Sequence, residues 1–179
     1  MLQTIPLAND EPALTGAPMI CAAQKVLAFL AQHKTIGLTK GKAFQRSFVH
    51  WAAAEFAWPG LEEDKLFLVN KVLNEYDFPP LEALHFVLLK LKLIRHEKLI
   101  CRLTKAGRAM VGTPGDLFNS IAPFYLFQVD HAASSRLPEP PLENWSLYLH
   151  LLHVEAARGV TCGILREALF ACKPASCGL

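Results

Sequence analysis

Charge is scarce in this chain. Asp, Glu, Lys and Arg make up 19% of its 179 residues, against roughly a quarter in ordinary soluble domains. Hydrophobic residues nevertheless reach 52%, which excludes wholesale disorder, because disorder needs low hydrophobicity and high net charge. Long apolar runs are lacking as well. The longest stretches free of charged side chains are 13 residues, at 12–24 and 117–129, and both contain proline. A spanning helix needs ~20 apolar residues, so no membrane segment is expected. There is no CxxC pair, and the five cysteines (Cys21, Cys101, Cys162, Cys172, Cys177) are odd in number. With no basic stretch followed by an apolar one at the N-terminus, the reading is a cytoplasmic chain. Cys21, Cys101, Cys162 and Cys172 then act as small buried hydrophobes, and Cys177 sits in a tail. GxSxG, GxGxxG and P-loop motifs are all missing. No nucleophile, phosphate loop or cofactor is nominated, and the expectation is a protein that is not an enzyme.

What is present is a charge polarity that the net value of +2 conceals. Residues 90–108 hold seven bases (Lys90, Lys92, Arg95, Lys98, Arg102, Lys105, Arg108) against Glu97 alone, whereas residues 116–155 hold five acids against Arg136 alone. Net charge this small gives no argument for nucleic acid by itself; the basic segment does.

Hydrophobic spacing and breakers predict mostly helix. Residues 1–17, with Pro6, Pro12 and Gly16, read as an extended N-terminal arm, and 18–179 as a single helical domain. Ile20, Ala23, Leu27 and Leu30 line a helix from Pro18, and Thr35–Thr39 breaks it, with Gly37 suited to a turn. A second helix covers about 42–57 and ends at Trp58-Pro59-Gly60. Glu62-Glu63-Asp64 opens a third, 62–76, striped by Leu66, Val69, Leu73 and Tyr76. After Asp77-Phe78-Pro79-Pro80 a fourth helix spans 80–92. Leu93 to Thr104 reads as a hairpin turning at His96-Glu97-Lys98. Thr104 caps a short helix 105–111 that Gly112 ends, and Thr113-Pro114-Gly115-Asp116 starts another. Residues 134–144 form a proline-rich loop, followed by helices at 145–158 and 162–173.

Helix, turn, helix and hairpin across about 61–112 is the order of a winged helix-turn-helix, whose second helix enters the DNA major groove. Leu93-Ile94 with Leu103-Thr104-Lys105-Ala106-Gly107 resembles the wing and following helix of many bacterial winged-helix proteins. The wider stretch, from Gly37-Leu38-Thr39-Lys40 and Phe44-Gln45-Arg46-Ser47-Phe48-Val49 through Leu117-Phe118, is similar to bacterial proteins of unknown function. Among these is the helical part of a plasmid-encoded ORF-like family. The resemblance covers roughly residues 20–130 and implies a fold without implying an activity. The fold class expected is therefore mainly α: a winged-helix-like core with a small β-hairpin wing and additional N- and C-terminal helices.

The candidate sites follow from this frame. Arg95, His96, Lys98, Arg102 and Lys105 on the wing are candidate nucleic-acid contacts, since phosphate contacts need only basic side chains. The fourth helix is a poor reader of bases. Opposite its core stripe (Leu81, Leu84, Val87, Leu88, Leu91) it carries Glu82, Phe86, Leu89 and Lys90, where a reading helix needs Arg, Asn or Gln. Phe86 and Leu89 suggest burial on both sides, under the C-terminal helices. Phe118, Phe124, Tyr125 and Phe127 are a candidate partner surface. His150 and His153 share a helix face but lack further ligands for a metal. The function expected is a non-catalytic interaction or self-association module, partnered by a protein or a second copy. The alternative is a nucleic-acid-binding regulator using segment 90–108.

Overall fold

A computed structural model describes residues 6–131, 145–157, 159–161 and 163–164. The chain divides into two compact units, Met1–Tyr125 and Leu126–Leu179. Among the described residues there are seven α-helices: α1 Pro18–His33, α2 Arg46–Phe56, α3 Glu63–Val69, α4 Pro79–Lys90, α5 Lys105–Ala109, α6 Pro114–Gln128 and α7 Trp145–Ala156. Three strands, β1 Ile36–Gly37, β2 Ile94–Glu97 and β3 Ile100–Leu103, form an antiparallel sheet in the order β1-β3-β2. No helix among the described residues is long and apolar enough to cross a membrane.

The core of the first unit forms where apolar stripes converge. Ile20, Ala23, Leu27 and Leu30 of α1 are buried as their spacing requires, and so are Leu81, Leu84, Val87 and Leu88 of α4. Phe48, Val49, Ala52 and Ala53 supply the inner face of α2. Phe29, Phe48 and Trp51 form an aromatic cluster between α1 and α2, with centroids 4.5–5.0 Å apart in edge-on, tilted and stacked pairs, within the range of favourable ring contacts. Gln24 ties α1 to the turn after α5: it donates to the Met110 carbonyl (3.2 Å) and accepts from the Gly112 N–H (2.8 Å).

Local signals set several boundaries as expected. Thr104 caps α5 by accepting from the Gly107 N–H at 3.0 Å. Gly112 follows with φ +79°, a conformation that glycine adopts without steric cost. Pro114 opens α6, but its cap is not Thr113, whose hydroxyl has no hydrogen-bond partner among the described residues. Asn9 reaches across from the N-terminal arm instead, and its Oδ1 accepts from the N–H groups of Gly115 (2.9 Å) and Asp116 (3.2 Å). Asn119 holds the same arm by exchanging two hydrogen bonds with the Leu7 backbone. Residues 12–16 of the arm form a 3₁₀ turn around buried Leu14. Pro123 is accommodated inside α6 without ending it.

Other expectations are corrected. Gly37 lies in a strand, not a turn: Ile36 and Gly37 pair with Cys101 and Ile100. Two residues are too few for the alternation that marks a strand. The third helix stops at Val69, well before Tyr76. Asn70 closes it by bonding back to the Leu66 carbonyl through both backbone and side chain. Asn74 and Asp77 then form a capping box around a 3₁₀ turn, Glu75–Asp77. Leu66 and Leu73 are buried, but Val69 and Tyr76, which the stripe had placed inside, are 85% and 67% exposed. The hairpin turns at Lys98-Leu99, which leaves His96 and Glu97 inside β2. Phe86 is not covered on both sides. It is 44% exposed, touched by the Phe124 ring at 6.4 Å and by Lys90 Nζ at 5.5 Å. The expected proline-rich loop at 134–144 lies outside the described residues, and so does the helix expected at 162–173, apart from residues 163–164.

The hairpin meets α5 where Gly107 packs on the Leu93 carbonyl, and a β-carbon there would overlap that oxygen. Gly107→Ala is expected to cost about 1–3 kcal/mol by overpacking, read as a lower urea midpoint. An unchanged midpoint would show that this contact does not hold the wing.

Candidate functional site

One carboxylate is buried in the first unit, and four segments meet at it. Glu75, 4% exposed, sits in the 3₁₀ turn before α4. Its Oε2 accepts from the Phe44 N–H at the entrance to α2. Its Oε1 lies 2.5 Å from His85 Nδ1 on α4. His85, itself 6% exposed, stacks on the Phe44 ring at 3.8 Å and places Nε2 2.8 Å from His96 Nε2 on β2. Burying polar groups is costly unless they are bonded, and here each group supplies the next one's partner. The carboxylate only accepts, so His85 carries its proton on Nδ1 toward Glu75. Between the two Nε2 atoms one proton fits and two do not.

The surroundings shape this chain of groups. Burial, then His85, then Lys42 lower the pKa of His96 below its ordinary value, with Glu75 opposing. Cys101, directly across the ladder from His96, is fully buried. Burial, aided by Glu75, pushes its thiol up to about 12, so it is no nucleophile at neutral pH. No group of three or more His, Cys, Asp or Glu among the described residues is arranged to hold a metal. His150 and His153 are exposed on α7. A cleft of about 560 Å³ lies over Glu75, lined among others by Thr39, Arg46, Asn74 and Tyr76.

The five candidate nucleic-acid contacts do not share a surface. Side chains alternate across a strand. His96 points inward to His85, and Arg95 and Arg102, opposite one another in the ladder, lie on the other face. Glu97 bridges these two arginines at 3.3 and 3.2 Å. Lys98 occupies the hairpin turn, where its carbonyl accepts from Lys42 Nζ, and Lys105 is exposed at the start of α5. The arginine face continues onto Lys34 and Arg108, which with Ala31 and Leu103 line a second cleft of about 310 Å³. Of the candidate partner surface, Phe118, Phe124 and Tyr125 are half-buried against the core, whereas Phe127 in the second unit is 44% exposed. Other exposed large apolar side chains of the first unit lie on α3 and in the segment after it: Phe67, Leu68, Val69, Val72 and Tyr76.

Sequence spacing passed over Glu75 and His85. The available signal was a single histidine among the core positions of an otherwise apolar α4, since a buried imidazole requires a partner. Lys34 gave no signal at all, being far in sequence from the arginines it joins.

A mainly helical scaffold with a small three-stranded antiparallel sheet defines the class. Residues 15–116 match the family model described as the Y4jL N-terminal domain, and the chain belongs to that family. It is 33% identical over 171 residues to the protein named "Uncharacterized protein y4jL" from Sinorhizobium fredii, covering 95% of this chain and 78% of that protein. No solved structure matches the chain.

A histidine whose folded pKa is lowered adds stability above its unfolded value and loses it as pH falls through the folded value. Folding stability is therefore expected to fall below about pH 6, and His96→Leu to shrink the difference in denaturant midpoint between pH 7.5 and pH 5. An equal difference in the variant would remove His96 as the titrating group.

Proposed function

We propose that this protein is a non-catalytic self-association module built on a winged-helix-like scaffold. The order α1, β1, α2, α3, α4, β2, β3, with β3 central in the sheet, supports that scaffold. The observation that carries the function is the apolar face of α3 and the turn after it. Leu68 and Val69 are each 85% exposed, beside Tyr76 at 67%. Monomeric surfaces rarely gather so many large apolar side chains in one place.

The occupant proposed for this face is a second copy of the chain. The face is self-complementary in charge: Asp64 is exposed at one end and Lys71 at the other. A two-fold arrangement places the same patch on both protomers and sets the acid of one against the base of its partner. The alternative reading, a nucleic-acid-binding regulator, has less support. The outward positions of α4 are Pro79, Glu82, Phe86 and Lys90, which offer no amide or guanidinium to base edges, and the wing bases divide between two faces of the sheet.

Light scattering at micromolar concentration is expected to find a dimer of the intact chain. Leu68→Asp with Val69→Asp is expected to give a monomer with an unchanged far-ultraviolet circular dichroism spectrum, because both side chains are exposed and make little of the fold. A monomeric native chain, or a double variant that still dimerises, would overturn the proposal.

A further inference from the structure

We propose that the cleft between α1, the outer face of the β2–β3 hairpin and α5 binds a dianionic phosphate group. Four cations line it: Lys34 from the end of α1, Arg95 and Arg102 from the hairpin, and Arg108 from α5. Glu97 is the one carboxylate within ion-pair distance of any of them among the described residues. The cleft therefore carries a surplus of positive charge that a single carboxylate leaves unbalanced.

The arrangement is costly without a ligand. Arg95 and Arg102 are direct cross-strand partners, and like charges in that position destabilise a sheet. Glu97 relieves this only in part. Arg102 Nε, 3.2 Å from Glu97 Oε2, is shut off from solvent yet lacks a well-aligned hydrogen bond. An oxyanion seated between the guanidinium groups would supply aligned acceptors to both, and planar guanidinium forks suit tetrahedral phosphate oxygens. A space of about 310 Å³, lined also by Ala31 and Leu103, admits one such group. A dianion matches the surplus charge better than a carboxylate, which carries one charge. The same group occurs as free phosphate and at the end of a polynucleotide, and the cleft recognises what the two share. This site is separate from the α3 face and stands whether or not the chain dimerises.

Isothermal titration of the full chain with inorganic phosphate, at constant ionic strength of roughly 50 mM where charge contacts are least screened, tests the inference. Saturable binding is expected. Arg102→Gln and Arg108→Gln should each weaken it about tenfold, the loss of one charge-assisted hydrogen bond. Glu97→Gln should tighten it severalfold, because the variant removes the carboxylate that competes for the same guanidinium groups. That gain separates a ligand role from a structural one, and it remains readable if an arginine variant fails to fold. A short 5′-phosphorylated oligonucleotide compared with its 5′-hydroxyl form identifies the source: a preference for the phosphorylated end assigns a polynucleotide terminus, binding of neither assigns a free phosphate, and equal binding of both would overturn recognition of a dianion. No saturable binding of inorganic phosphate, acetate binding as tightly as phosphate, or unchanged affinity in Glu97→Gln would overturn the proposal.

Discussion

The buried carboxylate of Glu75 is the constraint around which the first unit is organised. It joins the entrance to α2 through the Phe44 N–H, the front of α4 through the turn it sits in, the middle of α4 through His85, and the hairpin through His96. Removing one member of a buried bonded set leaves the others desolvated and unpaired, which costs more than the bond itself contributes. The register of the sheet against α4 is thereby specified as well as stabilised. Were β2 shifted by one residue, His96 would turn outward and Arg95 would face the core, since strand side chains alternate with a period of two.

That register decides what each face of the hairpin offers. With His96 and Cys101 turned toward α4, Arg95 and Arg102 must lie on the opposite face, where α1 and α5 add Lys34 and Arg108. Three of the seven bases of segment 90–108, Arg95, Arg102 and Arg108, thus line one cleft together with Lys34. The two most exposed large apolar side chains of this unit, Leu68 and Val69, fall on α3, a helix of seven residues with Leu66 buried and its next three side chains exposed.

The parts of this fold legible in the sequence are those governed by local rules. Thr104, Gly112 and Pro114 mark helix ends through their own backbone chemistry, and the stripes of α1 and α4 follow from the helical repeat. The parts that were not legible depend on groups distant in the chain. Asn9 displaces Thr113 as the cap of α6 because the N-terminal arm folds across it. The end of α3 was obscured because Leu73 and Tyr76 continue the helical spacing while Asn70 and the Asn74–Asp77 box break the backbone. For the sites, the basic residues of the wing were visible as a charge run, but their division between two faces depended on placing the turn at Lys98-Leu99. Glu75 and His85 were invisible as a pair because nothing in their own segments identifies the partner.

Amide hydrogen exchange at Phe44 tests the organising role of Glu75 most directly. Its N–H donates to the buried carboxylate outside any helix ladder, so its protection reports on that contact. If the network holds the unit together, Phe44 should exchange only through global opening, with the same free energy as the α4 core amides of Leu84 and Leu88. Exchange of Phe44 at the rate of an exposed loop, while α4 stays protected, would contradict the account.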